Sequence, residues 1–244
     1  MEEQQGIRIN KYLSEYGVCS RREADRLIED GVVWINGVRA SIGDRVTDED
    51  TITVRGQVVG NRKDFVLLVC NKPKGIVCTC EKRKGQTNIM EFLNLPYRVQ
   101  YVGRLDKDSE GLLLLTNDGD LANQIAKAGN AHEKEYVVKV NKSITKEFLQ
   151  GMRSGVPILD TVTRECKVKK VDDRTFQIIL TQGLNRQIRR MCEYFGYRVV
   201  SLQRIRIMNI LLSNLKSGKV RKATEDEIRE LRKQLKKSME TGRE

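Results

Sequence analysis

Arg104 and Asp106 stand one residue apart in the stretch Gly103-Arg-Leu-Asp-Lys-Asp-Ser-Glu-Gly111, just ahead of four consecutive leucines, Leu112–Leu115. In an extended segment, residues i and i+2 point to the same side. A guanidinium and a carboxylate would then face one cleft, with Leu105 anchoring the segment from behind. A carboxylate placed this way can serve as a nucleophile or as a base. The same pattern also describes an ordinary ion pair in a loop. A second group lies in Gly183-Leu-Asn-Arg-Gln-Ile-Arg-Arg-Met191. Arg186, Arg189 and Arg190 open a helix there, with Asn185 as its expected cap. Cations at a helix start oppose the dipole, so an anion is expected nearby. Arg186 and Arg190, four apart, share a side. Arg189 lies beside the apolar stripe of Ile188, Met191 and Cys192 and is expected to point inward.

The elements that must hold these groups follow from pattern. A short apolar run bounded by turn residues suits a strand buried on both faces, so Leu112–Leu115 is such a strand and Arg104 and Asp106 lie in a loop at a sheet edge. After it, Asn117 or Asp118 can cap a helix over roughly 120–128. Strands are expected at 65–70, from Tyr136 onward, at 156–159, 161–171 and 175–180, with helices at 88–95, 145–152 and from Thr224 to about 237. Pro73 breaks the first of these strands, and Gly75 permits a sharp return. The N-terminal part reads differently. Ile9, Tyr12, Leu13 and Tyr16 repeat at helical spacing over 7–16, and Ser20 with Glu23 forms a capping box for a second helix. Val32–Ile35, the Asn36-Gly37 turn and Val38 form a hairpin, and Thr51–Val54 another strand. Residues 56–64 read as a polar, Gly-containing linker.

Charge separates the two parts. The 244 residues carry 45 Lys and Arg against 33 Asp and Glu, a formal net of +12. Residues 1–60 hold 8 basic and 11 acidic residues; the remainder holds 37 and 22. The whole excess therefore sits in the larger part, which favours a polyanionic partner, nucleic acid above all. No apolar run approaches membrane-spanning length, and the N-terminal residues lack a hydrophobic signal segment, so a cytoplasmic protein without membrane association is expected. The six cysteines, at 19, 70, 78, 80, 166 and 192, lack a C-x-x-C spacing, and neither metal nor disulfide is expected. His132 is the only histidine.

Gly-Arg-Leu-Asp followed by Gly-Leu-Leu-Leu-Leu-Thr-Asn-Asp-Gly resembles the active-site motif of pseudouridine synthases, in the branch acting on ribosomal RNA. Three further matches occur in order: Lys72-Pro-x-Gly after a strand, Lys134-Glu-Tyr at the head of another, and Gln187-Ile-Arg-Arg-Met. The N-terminal part, through Ser20-Arg-Arg-Glu-Ala and Gly31-Val-Val-Trp-Ile-Asn-Gly, is similar to the S4 RNA-binding domain. The resemblance spans about residues 7–237. It implies an α+β chain: a small N-terminal S4-like RNA-binding domain over 1–60, joined to a larger, mixed, mainly antiparallel-sheet synthase domain over 61–244 that ends in a helix.

By this resemblance Asp106 is the catalytic aspartate, Tyr136 faces the active site and Arg189 pairs with Asp106. Arg104 would fill the gap left by a flipped nucleotide and contact phosphate. Arg8, Lys11, Arg21, Arg22 and Arg26 would form the phosphate-facing surface of the S4-like part, with Lys72, Arg186 and Arg190 as further RNA contacts. The implied reaction converts uridine to pseudouridine, an isomerisation needing no cofactor and no metal. The implied partner is a structured stem-loop of ribosomal RNA, 23S in particular, met by a monomer. Two rival readings remain open. Asp106, Asp108, Asp118 and Asp120 can be read as the magnesium site of a nuclease, although the last two lie beyond a strand roughly 16 Å long. The S4-like part alone would suit an RNA-binding ribosome-assembly or quality-control factor without chemistry.

Overall fold

The computed structural model describes residues 6–60, 64–79, 81, 84–126 and 131–241. Cys80, part of the expected linker and the end of the helix expected over 120–128 lie outside the described residues. Contacts divide the chain into two compact units. One runs to Phe65 and takes in Asn117–Gly119; the other holds Val66–Thr116 and continues from Asp120.

The smaller unit is built from β1 (Ile7–Arg8), α1 (Ile9–Glu15), α2 (Arg21–Glu29), β2 (Val33–Ile35), β3 (Val38–Arg39), β4 (Arg45–Val46), β5 (Ile52–Val54) and β6 (Gln57–Val58). Ile9, Tyr12 and Leu13 of α1 bury their stripe against Ala24, Leu27 and Ile28 of α2, over Val33, Val46 and Ile52. The Ser20 hydroxyl accepts the Glu23 N–H at 3.1 Å and so caps α2. Two features differ from the sequence reading. The first helix starts two residues late, because Ile7 and Arg8 pair in extended form with Val46 and Arg45. The expected linker begins as a strand: β6 pairs with β5 through Arg55-Gly56, whose φ angles of 53° and 77° match the 50° and 80° of Asn36-Gly37. Both are two-residue turns with left-handed central residues. Arg-Gly does not advertise such a turn as Asn-Gly does.

The larger unit continues with β7 (Leu67–Lys72), α3 (Ile89–Leu93), β8 (Gln100–Val102), β9 (Glu110–Thr116), α4 (Gly119–Ala126), β10 (Lys134–Val140), α5 (Lys146–Arg153), β11 (Pro157–Ile158), β12 (Thr161–Val162), β13 (Lys167–Lys170), β14 (Thr175–Leu180), α6 (Gln187–Tyr194), β15 (Val199–Ile207), β16 (Ile210–Leu211), β17 (Val220–Lys222) and α7 (Glu225–Thr241). Its main sheet has the order β13-β14-β10-β15-β9-β7-β17, with β16 on β15 and β8 on β9. Every pairing in it is antiparallel except β15 with β9, so the sheet is mixed and mainly antiparallel, as expected.

β9 is the hub, buried on both faces. Leu112 and Leu114 pack with Val69, Ile125, Ile210 and Leu231 in one core. Leu113 and Leu115 turn the other way, onto Leu68, Cys70, Ile89 and Leu105. A third core gathers Phe148, Phe176, Ile178, Met191 and Leu202 between α5, α6 and the sheet. The loop 103–109 therefore leaves β8 and enters β9 from a rigid base.

Candidate active site

That loop opens onto a cleft of about 990 Å³ in the larger unit. Its walls come from the turn after β7, the loop 103–109, the end of α4, and the facing side chains of β10, β14, β15 and α6. Six cations line it (Lys74, Arg104, Lys107, Lys134, Arg186 and Arg204) against two carboxylates, Asp106 and Asp108. Such an imbalance in a concave wall attracts a polyanion.

Asp106 projects into this cleft while Leu105 is buried behind the loop. The loop is pinned at several points. Ser109 donates its N–H to the Asp106 carbonyl at 3.1 Å, and Gly75 donates to the Lys107 carbonyl at 2.7 Å, tying the turn after β7 to the loop. Tyr136, half-buried on β10, lines the same cleft. Across the sheet it stands opposite Arg204, and Arg204 stands beside Gly111 at the start of β9. Tyr136, Arg204 and Gly111 thus form one row under the loop.

The arginines of α6 are arranged differently from the sequence reading. Arg189 is buried at 7% exposure, as its place on the apolar stripe predicted, but Asp106 is not its partner. Its Nη2 donates to the Asp108 carbonyl at 3.0 Å and to the Ser109 hydroxyl at 3.2 Å, and lies 3.3 Å from the Asp108 carboxylate. The cation facing Asp106 is Arg186, 3.7 Å from Oδ2. Arg186 also forks onto Asp108, at 3.2 and 3.3 Å. Burial raises the Asp108 carboxyl, but the hydrogen bond from Arg186 and the charges of both arginines outweigh it and hold the group below the usual carboxylate range. The anion that three arginines at a helix start call for is therefore Asp108.

The reason is local geometry. Asn185 does not cap α6; Arg186 occupies the N-cap in a left-handed conformation, φ 50°, with no side-chain cap bond. That conformation turns Arg186 toward the loop. Arg190 folds back onto Asn185, bonding its carbonyl at 3.1 Å and its side-chain oxygen at 3.4 Å, and lines no part of the cleft.

Lys72 is the clearest correction. Expected on the RNA-facing surface, it is fully buried. Its Nζ donates to the carbonyls of Pro73 at 2.8 Å and Ile76 at 2.9 Å, closing its own turn. Burial pushes its ammonium below the ordinary lysine range. The exposed lysine of that turn, at the cleft wall, is Lys74. Arg104 is exposed at the cleft wall. In the smaller unit Arg8, Arg21, Arg22 and Arg26 are exposed, Arg26 pairing with Glu23 at 3.5 Å, and Lys11 pairs with Glu15 at 3.6 Å. Among the described residues no group of three or more His, Cys, Asp or Glu is placed to hold a metal ion. No helix among them is long and apolar enough to cross a membrane.

Three residues of the site, Ser109, Lys134 and Arg204, were given no role by the sequence reading, and Asp108 was weighed only as a ligand of the rival metal site. Gly111 was the available signal for part of this, since an isolated glycine at a strand start marks a close backbone approach. Arg204 could not be assigned by alternation. A bulge pairs Glu135 with Arg206 but Tyr136 with Arg204, so Arg204 and Arg206 face opposite sides although two residues apart.

Comparison with known proteins finds similarity over nearly the whole chain. Residues 66–194 match the family described as RNA pseudouridylate synthase, and residues 7–52 match the S4 domain. The dual-specificity RNA pseudouridine synthase RluF of Escherichia coli (strain K12) is 56% identical over 234 residues, which is 95% of this chain and 80% of that protein. Ribosomal large subunit pseudouridine synthase B of Bacillus subtilis (strain 168) is 36% identical, over 92% of this chain and 95% of that one. Among solved structures, a pseudouridylate synthase aligns with a TM-score of 0.67 at 27% identity, covering 92% of this chain and 99% of that one.

Proposed function

The chain belongs to the RNA pseudouridylate synthase family and isomerises uridine to pseudouridine in RNA; we propose that its substrate is a stem-loop of ribosomal RNA, 23S in particular, and that Asp106 carries the chemistry. The ribosomal assignment is supported by the similarity to ribosomal large subunit pseudouridine synthase B. The observation that carries the assignment of the site is the placement of Asp106 in one cationic cleft with Tyr136, and with Arg186 at 3.7 Å.

The target nucleotide must leave the stack to reach such a cleft. Arg104, exposed at the cleft wall, occupies the gap it leaves. Tyr136 stacks on the flipped uracil. Asp106 then acts on the ribose, either as the nucleophile at C1′ or as a base on the sugar. The C1′–N1 bond breaks, the base turns over, and C5 bonds to C1′. No redox change and no external group enter the balance. Arg186 sits beside the reacting carboxylate, while Arg189 holds the loop that presents it. Arg8, Lys11, Arg21, Arg22 and Arg26 bind phosphates through the S4 unit, setting register and adding affinity. On this reading the protein works in the cytoplasm as a monomer, which fractionation and sedimentation would check. The decisive experiment maps pseudouridine in ribosomal RNA from cells lacking the protein, then adds back the purified chain or its Asp106→Asn variant. Restoration by the first and not the second is expected. Restoration by both would overturn the role of Asp106.

A further inference from the structure

Both carboxylates of the cleft are engaged by Arg186 and Arg189, which leaves two cations deeper in its wall without an acid. Arg204 is 2% exposed. Its Nε donates to the Leu112 carbonyl at 2.7 Å and its Nη1 to the Arg104 carbonyl at 3.4 Å, while its Nη2 is buried with no partner. Lys134, partly buried, makes one bond, to the His132 carbonyl at 3.3 Å. Lys134 and Tyr136 lie on the same face of β10, and Arg204 is the neighbour of Tyr136 on β15. Among the described residues no acid pairs with either cation. Burial, with the nearby charge of Arg204 adding to it, pushes the Lys134 ammonium down to about 8.

Two cations withdrawn from water and left without an anion are unfavourable for the folded protein by themselves. We propose that Lys134 and Arg204 form an electrostatic pair in the cleft floor that stabilises the negative charge developing on the uracil ring of the flipped nucleotide. When C1′–N1 breaks, its electron pair passes to N1 and spreads to O2 and O4. The anion persists until that pair forms the bond from C5 to C1′, which leaves the ring neutral; C5 then loses its proton and N1 gains one, so nothing is consumed. A backbone phosphate is the other anion RNA offers. It is charged and hydrated before binding, and suits the exposed cations Lys74, Arg104, Lys107 and Arg186. A uracil enters neutral and becomes anionic only where Lys134 and Arg204 lie. Cations that meet a neutral ground state and an anionic transition state raise the rate more than the affinity.

This inference rests on the pseudouridylation reading, and its test separates the two. Wild-type chain, Lys134→Met, Lys134→Gln and Lys134→Arg are compared in single turnover on ribosomal RNA from cells lacking the protein. RNA affinity is measured across a salt series in parallel. Lys134→Met and Lys134→Gln should slow the reaction by about a hundredfold with affinity and salt slope unchanged. The two neutral variants are made together so that a folding failure of one leaves the other. Lys134→Arg should retain most of the rate. The groups facing Lys134 are the Arg204 guanidinium and the buried His132, whose ring burial keeps below its ordinary range. The wild-type rate should therefore fall as pH rises through about 8, and Lys134→Arg should carry that limb to higher pH. A near-normal rate in the neutral variants overturns the inference. So does weaker binding with a shallower salt slope, which would make Lys134 a phosphate contact, or an unmoved alkaline limb in Lys134→Arg. Absence of pseudouridine with the wild-type chain would sink the underlying reading itself.

Discussion

Replacing Gly111 by alanine would put a methyl group 2.3 Å from the Arg204 carbonyl oxygen and 2.8 Å from its nitrogen. Both atoms are backbone, so no side chain can swing aside. β15 would have to retreat from β9 by roughly 1 Å to restore an ordinary contact. Such overpacking costs about 1–3 kcal/mol. The backbone adds a second term, since Gly111 has φ +104°, where a side chain costs about 1–3 kcal/mol. The retreat also strains the Arg204 bond to the Leu112 carbonyl, 2.7 Å long. Together these give about 2–6 kcal/mol, or roughly 4–24 °C in melting temperature for a chain of this size. Gly103 supplies the control. It has φ +65° but open space around its missing Cβ, so alanine there carries only the backbone cost, about 1–2 kcal/mol. Thermal unfolding by far-UV circular dichroism compares the variants. Single-turnover pseudouridylation below both transitions should show Gly111→Ala slowed by about a hundredfold, because the loop carrying Asp106 leans on Arg204. If Gly111→Ala melted within about 2 °C of Gly103→Ala, the close approach of β15 to β9 would not be what requires glycine here.

Other substitutions probe other parts of the molecule. Asp106→Asn keeps the shape of the side chain and should abolish pseudouridine formation while leaving RNA affinity within about threefold; near-normal turnover would refute the assignment. Arg21→Ala with Arg22→Ala should weaken RNA binding and reduce its salt slope by up to about two counterions, without changing the rate at saturating RNA; an unchanged salt slope would remove these residues from the phosphate-binding surface. Glu227 accepts two bonds of 2.7 Å from Arg221, which with the Thr224 N–H hold its carboxyl below the ordinary 4.5. A lowered folded value stabilises above the unfolded one and is lost as pH falls through it. Glu227→Gln should therefore cost about 1–3 kcal/mol near pH 7 and almost nothing near pH 2, as denaturant titrations at the two pH values would show.

Much of the architecture was legible because it rests on local signals. Leu112–Leu115 announced a strand buried on both faces, and its leucines do alternate between two cores. Ser20, the stripe of α2 and the Asn36-Gly37 turn needed only spacing. What stayed hidden depended on tertiary geometry. The inward face of Arg189 was readable from its helix position, yet its partner was not, because helix spacing cannot say which of two carboxylates on a distant loop arrives beside it. A left-handed Arg186 at the N-cap has no composition cue. Lys72 looked like a surface cation because a lysine in a turn usually is one; that its ammonium closes the turn through two carbonyls depends on the path of the chain after Pro73. The bulge that separates Arg204 from Arg206 reverses what alternation implies.

The stretch from Gly103 to Gly111 shows why two aspartates so close together have different surroundings. Asp106 and Asp108 both look into the cleft, but the arginines of α6 reach them unequally. Asp108 takes the fork of Arg186 and the buried Arg189, whose hold extends to the Asp108 carbonyl and the Ser109 hydroxyl. These bonds fix the backbone just beyond Asp106. Asp106 is left with a single guanidinium at 3.7 Å, longer than a hydrogen bond, which suits the proposed action of its carboxylate on a sugar. Were Asp108 absent, both guanidiniums would be available to Asp106, and a carboxylate held in a bidentate fork is a poor nucleophile. On the role proposed for Asp106, holding the loop and reacting with the substrate are thus separated onto neighbouring acids. Leu105 and Gly111 supply the two backbone constraints, one buried under the loop and one against β15, that keep the acids in that order.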